Sequence, residues 1–245
     1  MDRRYADSYR ELFEKHWWWR AREDVILSYL RRLRLPGDPP SILDVGCGDG
    51  LFFPQLERFG RVEGIESDGN VIAASAERRA RIHVRPFDDS FDPGRRFSLV
   101  TMFDVLEHFE DRVATLRRAA ALLEPGGTLL LTVPAFMSLW TAHDEFNHHH
   151  VRYSKRTFTE DARGARVRIA EMRYFFVWPA AVKLLVRGWE RFARNDPEPA
   201  KVPPASLNRA LYYACLIEHR IGRVVPCPFG SSLIIRAAAA PANAP

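Results

Sequence analysis

The chain has 245 residues, of which 47% are hydrophobic and 27% charged, with a formal net charge of +5. That is enough to bury the core of one α/β domain with an appendage, and the scattered basic excess argues against a nucleic-acid partner. Three cysteines without metal-ligand spacing, no leader and no apolar run of about twenty residues predict a cytoplasmic protein without a membrane span.

Residues 1–40 read as a helical arm that carries His16-Trp17-Trp18-Trp19-Arg20-Ala21-Arg22 and closes at Pro36-Gly37-Asp38-Pro39-Pro40. From Ser41 short apolar runs alternate with amphipathic segments, the pattern of a doubly wound α/β sheet. Strands are predicted at Ile42–Val45, Val62–Glu66, Ile82–Val84, Phe97–Phe103 and Thr128–Val133. A helix over about Asp111–Leu123 should stop at Pro125-Gly126-Gly127, because proline cannot continue it and glycine allows left-handed termination. The pattern then loosens into the polar stretch His143–Tyr153, HDEFNHHHVRY. A strand follows near Val167–Phe176, then helices at about Pro179–Arg194 and Leu207–Ile221 flanking a proline-rich connection. The last strand is expected at Ser232–Arg236, and residues 237–245 are expected to be disordered. The organisation is thus an arm (1–40), a core (41–176), a helical cap (177–225) and a returning core strand (226–236).

The most specific signal is Asp44-Val45-Gly46-Cys47-Gly48-Asp49-Gly50, where a strand runs straight into a glycine turn that lets backbone approach a ligand. A dinucleotide fingerprint would place glycine or alanine where Leu51 stands, which counts against an NAD-dependent oxidoreductase. Glu66 closes the next strand, where a carboxylate can accept both hydroxyls of a ribose.

These residues, with GIES, FSLVTMFDVLEHFED and LLEPGGTLLLTVP following in order, resemble the class I S-adenosylmethionine (SAM)-dependent methyltransferases over roughly residues 41–133. The resemblance implies a Rossmann-like sheet of seven strands, mostly parallel, whose last strand is antiparallel. It places Asp44, Gly46, Cys47, Gly48 and Gly50 around the methionyl part of SAM, and Glu66 with Ser67 at the ribose. Phe103 and Asp104 fall at the sulfonium end. His108 lies near the cofactor by topology and is taken as a cofactor contact, the other reading being a structural role with Glu107. Asp88 is preferred over Asp89 for the adenine amine. The chain ends narrow the resemblance to a bacterial subgroup with an HWW-aromatic-R-x-R arm, an H-D…H-x-R-R-Y segment and P-F-G-x-S-L before the last strand. Val151 departs from it, standing where the subgroup has an arginine. By this resemblance Arg22, in preference to Arg20, reaches the cofactor carboxylate. The arm is expected to use one tryptophan for packing and one to line the site, with Trp19 assigned to cofactor and Trp18 to substrate.

The histidine stretch follows the fifth strand, so it hangs off the carboxyl edge of the sheet, where such folds bind ligands. Three readings compete. His143 or His149 could act as general base, oriented by Asp144, with Tyr153 beside it and Arg152 holding an acidic substrate group. A metal ion could sit between His143, Asp144 and two of His148–His150, but the spacing matches no closed signature and no metal is expected. The stretch could equally be a hydrogen-bonded lid. In the cap, Trp178, Val182, Leu185, Trp189 and Phe192 recur at helical spacing beside a Lys183, Arg187, Arg191 stripe. Packing on the core or on a second copy is preferred for residues 178–192 over peripheral contact with an anionic membrane. The expected activity is methyl transfer from SAM to oxygen or nitrogen of a small, hydrophobic metabolite. Carbon methylation of a quinone-, isoprenoid- or lipid-like acceptor, or SAM binding without catalysis, are the alternatives.

Overall fold

A computed structural model describes residues 10–72, 75–190 and 201–241; of residues 76, 143 and 186–190 it describes the backbone alone. The elements in chain order are α1 (Trp17–Leu30), β1 (Ser41–Val45), α2 (Phe53–Leu56), β2 (Arg61–Glu66), α3 (Ala76–Arg79), β3 (Ile82–Val84), β4 (Phe97–Phe103) and α4 (Arg112–Ala121). There follow β5 (Leu123–Pro134), α5 (Ala142–Phe146), α6 (Lys155–Gly164), β6 (Val167–Phe175), α7 (Val177–Glu190), α8 (Ala205–Val224) and β7 (Ser232–Ala239).

The seven strands form one sheet in the order β3-β2-β1-β4-β5-β7-β6, parallel except for β7, which runs antiparallel to both neighbours. Successive side chains leave a strand on opposite faces, and the alternation sorts them into two cores. Leu43, Val100, Leu129 and Ile235 join α4 and α6 through Leu116 and Phe158, while Ile42, Leu99, Leu130 and Ile234 meet α1 through Val25, Ile26 and Leu30. Burial on both faces is why the central strands read as nearly continuous apolar runs.

Two boundaries differ from expectation. β5 begins at Leu123, so Pro125-Gly126-Gly127 lies within the strand instead of a loop; Phe97 pairs with Leu123 and Leu99 with Thr128, an irregularity that absorbs the proline. β7 continues through Ala237–Ala239, the start of the supposed tail. Backbone pairing holds these residues, since Ala237 sits between Leu129 and Ile169 and Ala239 faces Val167. Small side chains give no hydrophobic signal for a strand, but they do not weaken its ladder.

The arm is fastened to the cap. The Trp17 amide donates to Asn208 Oδ1 (2.8 Å), Asn208 Nδ2 donates to the Lys15 carbonyl (2.8 Å) and Tyr212 donates to Asp24 Oδ2 (2.6 Å). Glu218 of α8 accepts the Val177 and Trp178 amides at 2.8 and 2.9 Å, satisfying donors that open α7. Arm, α7 and α8 are therefore tied into one helical layer, which packs Val25, Ile26, Leu30 and Cys215 on one face of the sheet.

Candidate active site

The turn after β1 is built by glycines in left-handed backbone. Gly46 (φ +66°) could not carry a side chain, because a Cβ there would lie 2.6 Å from Val105 Cγ2. Gly48 (φ +53°) is the opposite case: a Cβ there would meet nothing within 4 Å. Bare backbone thus faces open space, which is what a ligand cradle requires. Glu66, at the end of β2, accepts the Gly48 amide (3.0 Å), the Asp68 amide (3.0 Å) and the Ser67 hydroxyl (3.4 Å). One carboxylate therefore braces the turn and sits beside the open space, so the residues present fit a nucleoside with an amino-acid tail. Asp44 is buried beneath the turn and accepts from Thr101 Oγ1 at 2.6 Å. Burial pushes its carboxyl up to about 7 against the pull of Thr101 and Arg22. The Cys47 side chain turns toward Gly64, leaving only its backbone on the ligand side, and burial pushes its thiol up. Asp88 is exposed and accepts from the Ser90 amide (2.9 Å) and hydroxyl, capping its own turn.

The arm brings Arg22 to the carboxyl end of β4. Its Nε lies 2.7 Å from Asp104 Oδ2, its Nη2 donates to Thr132 Oγ1 (3.1 Å), and its guanidinium stands 5.7 and 5.9 Å from the Trp18 and Phe103 rings. Arg20 is instead stacked over Tyr212 of α8, 4.6 Å from the ring centroid. Trp17 stacks on Trp178 (5.2 Å), Trp18 leans on Phe176 (5.7 Å), and Trp19 meets Trp18 and His16 edge-on. The packing tryptophan is thus Trp17, and Trp18 is the one nearest Arg22. Arg10 pairs with Asp49 of the glycine turn, a second tie between arm and turn.

The polar stretch has an inner and an outer layer. Asp144 is fully buried; it accepts from Arg152 Nε (2.7 Å), His149 Nδ1 (2.9 Å) and the Thr141 amide (2.8 Å). Burial alone would raise its carboxyl, but bonds from His149 and Arg152 overcome this and hold it below the usual carboxylate range. Because that carboxylate can only accept, Nδ1 of His149 carries the proton and Nε2 is left for other work. The His150 amide donates to the Glu107 carbonyl (2.8 Å), stitching the stretch to the turn after β4, and the His108 and His149 rings meet edge-on at 4.7 Å. Partial desolvation, helped by His149, lowers His108 below its ordinary value although the residue keeps an exposed edge, so it is neutral at physiological pH. Burial and the neighbouring Asp104 charge push the Glu107 carboxyl well above its ordinary value.

Several expectations need correction. Tyr153 does not face the site: it is wholly buried among Phe158 and its neighbours, and its hydroxyl donates to Asp161 Oδ2 at 3.1 Å. Tyr153→Phe is therefore expected to cost about 1 kcal/mol of stability in thermal unfolding while leaving turnover unchanged; a loss of turnover at unchanged stability would return the hydroxyl to the chemistry. Asp144 and Arg152 (3% exposed) are likewise too enclosed to meet a substrate directly, and Arg152 also donates to the Ala135 carbonyl (3.4 Å). Their effect reaches the site through His149. His143 lies on α5, but its side chain is outside the described residues. In the cap, Val182 and Leu185 are exposed (46% and 75%) instead of packed. Arg191 and Phe192, and the side chains of Arg187 and Trp189, lie outside the described residues. Lys183 is no solvent-facing stripe residue. It is partly buried, and burial with the Arg152 charge lowers it to about 8, with Asp144 and Asp104 pulling the other way. Glu107 was not among the expected site residues; the only signal was its position between Asp104 and His108.

A seven-stranded sheet of this order with a glycine turn after β1 defines the class I methyltransferase fold. The chain matches the family model described as a methyltransferase domain over residues 18–170 and belongs to that family, whose methyl donor is SAM. It is similar to the ubiquinone biosynthesis O-methyltransferase of Xanthomonas campestris pv. campestris, 36% identical over 127 residues covering 46% of this chain and 50% of that one. The counterpart of Rhodopseudomonas palustris is 36% identical over 97 residues, 37% and 38% of the two chains. The chain spans half or less of the length of these curated relatives. Among solved structures, a Haloferax volcanii methyltransferase complex with the Trm112 activator (TM-score 0.61, 18% identity, 98% and 96% covered) has the same fold. So does a SAM-dependent methyltransferase of Clostridium acetobutylicum (0.60, 10%, 97% and 98%).

Proposed function

We propose that this methyltransferase acts on an oxygen of a small, hydrophobic acceptor, with Gly46–Gly50, Glu66, Ser67, Phe103 and Asp104 holding the donor. When bound there, SAM supplies an electrophilic methyl on a sulfonium. The chain's own contribution is to align acceptor and methyl and to keep water out, an effect worth up to about 7–11 kcal/mol. Trp18, Phe103 and Phe176 supply the apolar wall. Arg22, already paired to Asp104, positions that carboxylate at the sulfonium end and reaches toward the donor's own carboxylate.

The observation that carries the reading is the Arg152–Asp144–His149 chain, which fixes one imidazole tautomer and presents its free nitrogen beside neutral His108. Such an arrangement can accept the proton of an acceptor hydroxyl. The names of the similar O-methyltransferases favour oxygen over carbon or nitrogen. Among the described residues no helix is long and apolar enough to cross a membrane. We place the protein in the cytoplasm. The exposed Val182, Leu184 and Leu185 of α7, with Tyr213, Ile217 and Ile221 of α8, are the face for a second copy or a membrane surface carrying an apolar acceptor.

The test is incubation with methyl-labelled SAM and a panel of ring hydroxyl, amine and ring-carbon acceptors bearing apolar tails. Label is expected on oxygen. Label confined to carbon or nitrogen would overturn the assignment of the acceptor atom, and no label with any acceptor would leave a SAM-binding protein without transferase activity.

A further inference from the structure

Beside the acceptor wall, Glu107, His108 and His149 bring one ligand atom each to within 4.8 Å of one another, a grouping found among the described residues. Glu107 and His108 come from the turn after β4 and His149 from the polar stretch after β5, so two separate crossovers converge. Glu107 is 0% exposed, and beyond the weak pull of its own backbone amide neither of its carboxylate oxygens has a hydrogen-bond partner. A buried carboxylate with both oxygens unanswered costs several kcal/mol unless a cation or a proton meets it.

The imidazoles are prepared in the complementary way. His149 donates an Nδ1 hydrogen bond to Asp144, which Arg152 holds from behind, and His108 bonds to the Asn147 backbone. Each ring has one nitrogen committed to an orienting partner and one free. That is the pattern of metal-bound histidine, whose other nitrogen is fixed by a carboxylate or carbonyl.

We propose that Glu107, His108 and His149 bind one divalent transition-metal ion of the zinc or ferrous class. Two imidazoles and a carboxylate select such an ion over magnesium or calcium, which take oxygen ligands almost throughout. Side-chain rotation must close the cluster from 4.8 Å to the ligand–ligand spacing of roughly 3.0–3.4 Å that metal bonds of 2.0–2.2 Å impose. Three protein ligands leave a position open.

The use of that open position rests on the methyl-transfer reading above. An acceptor hydroxyl bound there loses its proton to solvent more readily. Its oxygen then forms the new bond to the methyl carbon as the carbon–sulfur bond of SAM breaks, and the sulfur keeps that electron pair. With the ion in place His149 serves as a ligand; without it, the same nitrogen takes the proton directly.

The test begins with chelator-stripped full-length protein titrated with Co²⁺, following the visible d–d bands, and with Zn²⁺ by calorimetry. One ion per chain is expected, and the Co²⁺ intensity should report four or five ligands including nitrogen. Glu107→Gln and His108→Ala should each weaken Zn²⁺ binding by at least about a hundredfold, above the about 10–100-fold expected for loss of an outer-shell partner. Thermal unfolding, measured on the same samples, controls for folding. Wild-type protein that binds SAM but takes up no stoichiometric ion overturns the proposal. So does ion binding that both variants retain, because the ion then sits elsewhere. An ion bound in this cluster by protein that labels no acceptor upholds the site and refutes the methyl-transfer reading instead.

Discussion

His149→Ala is expected to lower methyl transfer by about 10²–10⁴-fold while donor affinity, read by calorimetry, stays unchanged. The separation follows from geometry. Donor contacts are assigned to the glycine turn, Glu66 and the end of β4, whereas His149 belongs to a different crossover and touches that region through the His108 ring. Its Nδ1 is spent on Asp144, so the variant removes a nitrogen whose only remaining use lies on the acceptor side. The fall should appear in kcat and be partly rescued by added imidazole. A raised KM with intact kcat would identify the stretch as a lid that shapes the pocket without taking part in proton removal. Loss of folding would show as a lowered Tm and a parallel loss of donor binding, distinct from either outcome.

Glu66→Ala should weaken SAM binding by about ten- to a hundredfold, since hydrogen bonds to a charged group contribute about 1.5–3 kcal/mol. Two effects combine. The carboxylate is placed where ribose hydroxyls would donate, and it also accepts the Gly48 and Asp68 amides, so its removal loosens the turn that forms the cradle. Glu66→Gln should lie between, because an amide oxygen still accepts one amide but carries no charge. Calorimetry with SAM decides the matter, and an unchanged Kd would mean that the nucleoside sits elsewhere on the sheet edge.

The parts legible in the sequence are those whose cause is local. β1 and β4 announce themselves because burial on both faces demands unbroken apolar runs, and the glycine turn because left-handed backbone at Gly46 and Gly48 favours glycine and a side chain at Gly46 would collide with Val105. The histidine stretch was legible in place but not in role. Tyr153 looks like a site residue until Asp161, eight positions on, takes its hydroxyl. Asp144 and Arg152 look like substrate contacts until they are found paired and enclosed. Whether a polar side chain faces a ligand or its own chain depends on partners that folding supplies, and spacing alone does not carry that information. Glu107 shows the converse: within DVLEH it passes for helix-turn polarity, and only its burial without a partner reveals an unmet requirement. Helical periodicity assigns Lys183 to a stripe but not the direction in which the stripe looks.

Phe175 and Ser232 are rung partners on neighbouring antiparallel strands. The excursion over residues 176–231 therefore leaves the sheet and re-enters it at a single step of the ladder. A segment closed on such a hinge can lengthen, shorten or be exchanged at small entropic expense, provided its replacement again covers the apolar face that Phe176 and Cys215 close. Relatives that share this scaffold are free to diversify acceptor choice by trading that excursion wholesale, and a chimera carrying another enzyme's excursion should fold on the same seven strands and change its taste in acceptors.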